Sequence, residues 1–576
     1  MRILLLTHGF NSLSQRLHVE LRERGHQVSV ELDINDAVTR EAIDLFRPDL
    51  VVAPFLKRSI PESVWRRHVC LIVHPGIPGD RGPSALDWAI LEDRPRWGVT
   101  VLQAEAGMDA GPVRAWREFP MRAARKSSLY RFEVTEAATG AVLEAIERFR
   151  AGTAPAYPDA LAGITPGRWH DPMRQADRCI DWDRDDTATV TRKINAGDGA
   201  PGVCDEILDL SCRLFDAREA PGMRGRPGEI IGRAHGAVCR ATRDGALWIG
   251  HLRAGHAAAP DFKLPAARVL GLRLRGVPVT GGEAGAAVDP IRYEEHGPVG
   301  VLYFDFYNGA MGTAHCRRLL AAWRAACRRP TRVIVLAGGT DFWSNGLHLN
   351  LIEAADSPAD ESWRNINAMD DLAEAVITTR SHLTVSAVGG NAGAGGAFLA
   401  LAADHVALRH GVVLNPHYRN MGNLYGSEYW TYVLPRRVGE AAVKTIVRGR
   451  LPIGARQALQ LGLADVCGPA NPARFRAEVL DQALSLAGAD GYAARLEDKS
   501  RRLGRDTAER PLQAWRDEEL AQMRLNFYGF DPSYHVARHR FVHQAPRAWT
   551  PRHLALHRRL DWTVPDEPEA GVASGG

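Results

Sequence analysis

Short apolar runs at 3–6, 28–31, 50–52, 71–73 and 98–103 alternate with polar, helix-like stretches such as 14–24 through the first 160 residues. That alternation predicts a doubly wound α/β domain on a parallel sheet. Ligands of such sheets sit at the carboxyl ends of the strands, so His8 to Ser12, Pro54 to Arg58 and His74 to Arg81 occupy the expected working edge. Residues 151–175 turn Ala/Pro/Gly-rich and read as a linker. Between 165 and 280 the strands become short and glycine-punctuated, as in Gly225-Arg-Pro-Gly-Glu-Ile-Ile-Gly and Ala246-Leu-Trp-Ile-Gly. A small, OB-like β-barrel fits that spacing. The α/β alternation resumes over 290–470, 471–564 reads as amphipathic helix, and 565–576 as a disordered tail.

Composition narrows the classes of partner. A chain of 576 residues is too long for one core. A formal charge of +4 is small for that length and argues against wrapping nucleic acid. The eight cysteines form no C-x-x-C pair, which disfavours a zinc cage or disulfide framework and suits a reducing cytoplasm. The most apolar later stretch, 383–408, is broken by five glycines, Asn391 and Asp404, so no membrane span is expected. The amino-terminal apolar run is too short for a signal peptide.

The richest motif is Leu71-Ile-Val-His-Pro-Gly-Ile-Pro-Gly-Asp-Arg-Gly-Pro-Ser-Ala-Leu-Asp-Trp-Ala-Ile90, followed by Gly107-Met-Asp-Ala-Gly111. A histidine just past a buried strand presents an imidazole that acts as acid or base near neutrality. His74, Pro78, Arg81-Gly82, Ala89-Ile90 and Asp109-Ala-Gly111 resemble the signature of the folate-dependent formyltransferases, and the likeness continues through Ile180-Asp-Trp182 and Pro227-Gly228. The resemblance implies 10-formyltetrahydrofolate as donor, with His74 and Asp109 as transfer residues. One departure stands out: the family's asparagine, two positions before the histidine, is Ile72. Loss of such an oxyanion donor costs about 10²–10³ in rate. Either the site is crippled, or another group such as Asn11 replaces the amide, or the acceptor differs, for instance a thiol, whose pKa of about 8.5 makes the nucleophilic anion accessible.

A second constellation lies in Val333-Ile-Val-Leu-Ala-Gly-Gly-Thr-Asp-Phe-Trp-Ser-Asn-Gly-Leu347 and Gly389-Gly-Asn-Ala-Gly-Ala-Gly-Gly396. Loop glycines at a helix amino terminus free N–H groups to face a ligand. With Leu434-Pro-Arg-Arg-Val-Gly439 and 455–465, this region resembles the crotonase (enoyl-CoA hydratase/isomerase) superfamily. The resemblance implies a coenzyme A thioester held by the N–H groups of Leu347 and Gly395, with Gly346 in the binding loop. Phe398 and His417 stand where hydratases carry their two glutamates, so hydration is not expected. Tyr418 and Glu428 are the expected acid/base pair, with His417 third.

The fusion of these two halves resembles a family of [NiFe] hydrogenase maturation factors. It implies formyl transfer to coenzyme A, then decarbonylation of formyl-CoA to carbon monoxide, with hydrogenase maturation proteins as partners. The alternatives are a folate/CoA-binding scaffold, or formyl transfer to an amine beside a separate acyl-CoA activity. Arg131, Arg538 and Arg540 are candidate cations for the CoA phosphates. The stripe His535, His539, His543 lies at i, i+4, i+8, but with interleaved arginines and no acidic ligand in sequence it reads as a solvated or ligand-facing surface, and no metal is expected.

Overall fold

The computed structural model describes residues 1–152, 167–255 and 260–564. Its first sheet comprises β1 (Arg2–Thr7), β2 (Gln27–Leu32), β3 (Leu50–Phe55), β4 (Cys70–His74), β5 (Arg96–Gln103) and β6 (Val113–Pro120), in the order β2-β1-β3-β4-β5-β6. The four strands β2, β1, β3 and β4 are parallel, as the alternation predicts. β5 and β6 are antiparallel, which corrects the expectation of a wholly parallel sheet. That reversal has a consequence for the site. The connection from His74 to Arg96 starts and ends on the same edge of the sheet, so its Pro/Gly-rich part walls that edge instead of crossing over a face.

The second sheet is antiparallel, built from β7 (Val203–Ile207), β8 (Leu210–Glu219), β9 (Ile230–Ala234), β10 (Ala237–Ala241), β11 (Ala246–Ala254) and β12 (Leu264–Pro265). Its order is β7-β8-β11-β10-β9, with β12 on β11 where β10 stops short. β7 and β9 end that order, so among the described residues no ladder closes the expected barrel. Residues 153–166 of the expected linker, and the tail 565–576, lie outside the described residues.

The third sheet joins β13 (Ile291–His296), β14 (Val299–Phe304), β15 (Val333–Gly338), β17 (Leu383–Val388), β19 (His405–Arg409) and β22 (Val466–Gly468). A smaller sheet joins β16 (Phe342–Ser344), β18 (Asn391–Gly393), β20 (Val413–Asn415) and β21 (Ile453–Gly454). Each of β15, β17 and β19 passes within a few residues into β16, β18 and β20, so three tight turns line up at one edge. Around this frame lies the largest apolar core, including Phe398, Tyr429, Met523 and Tyr534.

Two arginines lock the halves together. Arg125 Nη1 lies 2.8 Å from Asp216 of the second sheet, and its Nη2 lies 3.5 Å from Asp341 beside β16. Arg131, on a π-helical turn (Tyr130–Val134), reaches Asn308 Oδ1 at 2.8 Å, lies 3.7 Å from Asp341, and stacks on Phe342. Tyr307 bridges the same junction: its hydroxyl donates to Asp198 at 3.0 Å, and its ring stacks on His251 at 4.0 Å.

The carboxyl-terminal segment departs from the helical expectation. Regular helix ends with Ser533–Val542, and the chain then returns to the first sheet. There Leu554 O accepts from Val30 N at 3.0 Å and Thr550 Oγ1 from Leu32 N at 2.8 Å, covering edge strand β2. Beneath this strap Glu31, 0% exposed, meets His557 at 2.9 Å and Arg558 at 2.7 Å. Removing one partner of a buried charge pair costs about 3–5 kcal/mol. Glu31→Ala is therefore expected to lower the unfolding temperature by several degrees in calorimetry, whereas an unchanged midpoint would show that the strap contributes nothing.

Candidate functional site

His74 ends β4, and both of its ring nitrogens face carboxylates. Nε2 lies 2.8 Å from Asp80 Oδ2 and Nδ1 lies 3.5 Å from Asp109 Oδ2. Asp80 is buried, and its other oxygen bonds His170 Nδ1 at 2.8 Å, so its orientation is fixed from two sides. With the Nε2 proton given to Asp80, Nδ1 is the free acceptor, and it points to the more open Asp109 side. Asp109 itself adopts a left-handed φ of 48° and accepts from Gly82 N at 3.2 Å. The loop tolerates nothing larger than glycine at Gly76, where a Cβ would strike the His74 ring and Asp80.

Asp80 and His170 escaped the sequence reading. Asp80 stands inside the quoted motif, six residues after His74, but nothing in the local pattern distinguishes it from a turn aspartate. His170 lies beyond the linker, where only the fold could bring it to Asp80. Ile72 packs half-buried against the cluster containing Cys70 and Ala104, so an apolar contact fills that position. Asn11 caps the helix Ser12–Glu23, accepting from Ser14 N at 3.0 Å, and its amide nitrogen lies 3.5 Å from the Tyr130 hydroxyl. The cap engages Oδ1, so the Nδ2 donor, which an oxyanion role would use, has the Tyr130 hydroxyl as its contact.

In the second half the β15–β16 and β17–β18 turns meet. A Cβ on Gly346, whose φ is 77°, would lie 3.3 Å from Gly395 N, so the two loops abut. Leu347 N and Gly395 N donate to no protein acceptor among the described residues, leaving two adjacent N–H groups for a ligand oxygen. Ala394, immediately before Gly395, holds φ 49° and ψ −132°, a conformation costly for any residue but glycine. Glu428 and Tyr429 opposite are also left-handed, both at φ 59°.

Glu428 is 1% exposed and presses on Gly395, where an added Cβ would collide with its carboxyl group. The Tyr418 hydroxyl donates to Glu428 Oε2. Oε1 is buried and has no hydrogen-bond partner among the described residues. Burial, reinforced by nearby Asp370, pushes the Glu428 carboxyl well above the usual range, and burial likewise raises the Tyr418 phenol. Asp370 accepts from Glu428 N at 2.8 Å, and Glu519 accepts from Tyr429 N at 3.0 Å, so the backbone carrying Glu428 hangs from two buried acids. Phe398 stacks on Tyr418 with ring centroids 5.3 Å apart and forms an apolar wall.

The remaining predicted residues lie apart from this pair. His417 is buried, its ring nitrogens have no partner among the described residues, and burial pushes it down to about 4, with His553 and Arg450, not Glu428, beside it. Arg131 sits between the halves, as described above. Arg538 is 5% exposed, with its guanidinium on Glu353 at 2.6 Å and His535 at 2.8 Å, and Arg540 donates to Pro546 O at 2.7 Å. Burial and the Glu353 pairing turn Arg538 inward, so its charge is already matched by a carboxylate where a phosphate role was expected.

Comparison with known proteins follows the same division. The formyl transferase family matches residues 32–146, the formyl transferase C-terminal domain 172–263, and the enoyl-CoA hydratase/isomerase family 313–515. The chain is 57% identical to the hydrogenase maturation factor HoxX of Bradyrhizobium diazoefficiens over 558 residues, 97% of each protein. It is 27% identical to a methionyl-tRNA formyltransferase of Dechloromonas aromatica over 232 residues, 40% of this chain and 73% of that one. The crystal structure of HypX from Aquifex aeolicus in complex with tetrahydrofolic acid superposes with a TM-score of 0.93 at 48% identity, covering 98% of this chain and all of that one.

The acid cluster carries a stability signature. A carboxyl raised on folding contributes stability that is full below its unfolded pKa and is lost as pH rises through its folded value. Glu428 is so raised, Asp370 is pushed up to about 7 and Glu519 to about 8. The unfolding temperature of the wild type is therefore expected to fall between pH 6 and pH 9. Glu428→Gln, which cannot ionise, should flatten that decline; parallel curves for the two proteins would contradict the assignment.

Proposed function

The chain belongs to the HypX/HoxX family of hydrogenase maturation factors, a formyltransferase half joined to an enoyl-CoA hydratase-like half, and from that premise we propose that it makes carbon monoxide in two steps from one formyl group. In the first step the thiol of coenzyme A attacks the formyl carbon of 10-formyltetrahydrofolate. His74 takes the thiol proton through Nδ1, Asp80 holds the ring by Nε2, and Asp109 steadies the cationic imidazole. The C–N bond then breaks, the folate nitrogen leaves protonated, and formyl-CoA remains. A thiol acceptor fits the apolar Ile72, because a thiolate, once His74 has taken its proton, is a strong nucleophile that offsets part of the lost oxyanion help.

In the second step the N–H groups of Leu347 and Gly395 hold the formyl oxygen. In its ionised form, whose basicity burial raises, Glu428 takes the C–H proton through Oε1, the electrons of that bond remain on carbon, and the C–S pair leaves with the thiolate. Carbon monoxide and coenzyme A are the products once the thiolate is reprotonated, with Tyr418 donating to Glu428 throughout. The observation that carries this reading is the buried Glu428 Oε1, without a partner and beside Gly395. A desolvated carboxylate is a far stronger base than one in water. Phe398 at the hydratase position keeps water from the thioester, and Arg131, between the two halves, is the remaining candidate for a phosphate of coenzyme A.

Two variants separate the steps. His74→Ala is expected to stop carbon monoxide release from 10-formyltetrahydrofolate while sparing release from supplied formyl-CoA. Glu428→Gln should accumulate formyl-CoA and lower carbon monoxide output by about 10²–10⁴, read by trapping the gas on deoxyhaemoglobin. Full output from Glu428→Gln, or formate in place of carbon monoxide in the wild type, would overturn the scheme.

A further inference from the structure

The histidine stripe on the helix Ser533–Val542 gains from the fold what its sequence lacks. His539 and His543, four residues apart, face Glu353 at the end of the helix Leu349–Glu353. His539 Nδ1 lies 2.7 Å and His543 Nε2 3.4 Å from the same oxygen, Glu353 Oε1, and the three donor atoms lie within 4.8 Å of one another. The two imidazoles are adjacent, with ring centroids 4.2 Å apart. From these contacts we propose that Glu353, His539 and His543 form a binding site for one divalent transition metal of the zinc class.

The geometry suits that class. Zinc bonds nitrogen and oxygen at about 2.0–2.2 Å in a tetrahedron, which sets neighbouring donors roughly 3.3–3.5 Å apart. The Glu353–His543 spacing already has that value, and the Glu353–His539 hydrogen bond has to open by about 0.6 Å as the metal replaces its proton. Two imidazoles and one carboxylate leave a fourth position for water. The support around them is built: Arg538 binds only the other carboxylate oxygen, Oε2, and is itself fixed by His535, whose Nε2 lies 2.9 Å from Phe527 O. Such outer contacts orient a ligand and leave its donor atom free. Phe262 packs edge-on against the His543 ring and limits its rotation.

The position gives the site a role. Glu353 closes the short helix that begins two residues after Leu347, and His539 and His543 belong to the carboxyl-terminal helical region. A metal there would pin that region to the loop that offers the Leu347 N–H. His535 is outside the set, since its two nitrogens already serve Arg538 and Phe527.

The test uses the full-length chain, dialysed against chelator and titrated with Co²⁺ followed by Zn²⁺ competition. One equivalent is expected to bind with a visible d–d spectrum lacking thiolate charge-transfer bands, and Zn²⁺ should raise the unfolding temperature. His539→Ala and His543→Ala should each weaken binding at least a hundredfold and abolish the shift, while His535→Ala, which removes only an outer contact of Glu353, should weaken it less and keep the shift. His539 is 61% exposed at its side chain, so its variant is expected to fold, and circular dichroism checks this. Binding unchanged in both His539→Ala and His543→Ala, a thiolate spectrum, or no stoichiometric binding would overturn the proposal.

Discussion

The geometry of this protein depends on a buried charge junction, in which Arg125 and Arg131 of the first domain reach Asp216 of the second sheet and Asp341 of the third. A guanidinium in such a place loses water and regains it only as fixed carboxylates. Arg125 has enough of them, with Asp216, Asp198 and Asp341 around it, and its charge is held more firmly than in water. Arg131 is left closer to balance, because burial outweighs its neighbours and lowers its proton affinity. Arg125 and Arg131 together fasten the first domain to the rest. The strap at Glu31, His557 and Arg558 fastens the opposite end of the chain to the first sheet.

The two sites are built by opposite means. Around His74 the carboxylates are tied in place: Asp80 answers Nε2 and His170, and Asp109 answers Gly82. The second site stores its chemistry as unmet need. Ala394, Glu428 and Tyr429 sit at left-handed φ, and among the described residues two N–H groups lack acceptors and a carboxylate oxygen lacks a donor. Such costs persist only where surrounding structure enforces them, and here Asp370 and Glu519 do so by gripping the backbone of Glu428 and Tyr429.

The α/β alternation and the loop glycines were legible in the sequence because period and turn chemistry are local properties. His74 and Gly395 were legible for the same reason. The antiparallel return of β5 was not, since strand direction depends on where a connection ends and not on its letters. Nor were the partners of the named residues: Asp80 resembles any turn aspartate, His170 lies 90 positions from its carboxylate, and Glu353 lies 186 from His539. Arg538 shows the converse, a basic residue on a helix that looked available and proved to be buried on Glu353. Periodicity says which face a residue takes, whereas pairing at such separations belongs to the tertiary fold.

The claim that both sites act in turn on one formyl carbon is tested most directly by isotope. Wild-type protein given 10-[¹³C]formyltetrahydrofolate and coenzyme A should release ¹³CO in step with tetrahydrofolate, one for one, and release none when coenzyme A is left out. Labelled carbon recovered as formate, or ¹³CO formed at the same rate without coenzyme A, would contradict the account.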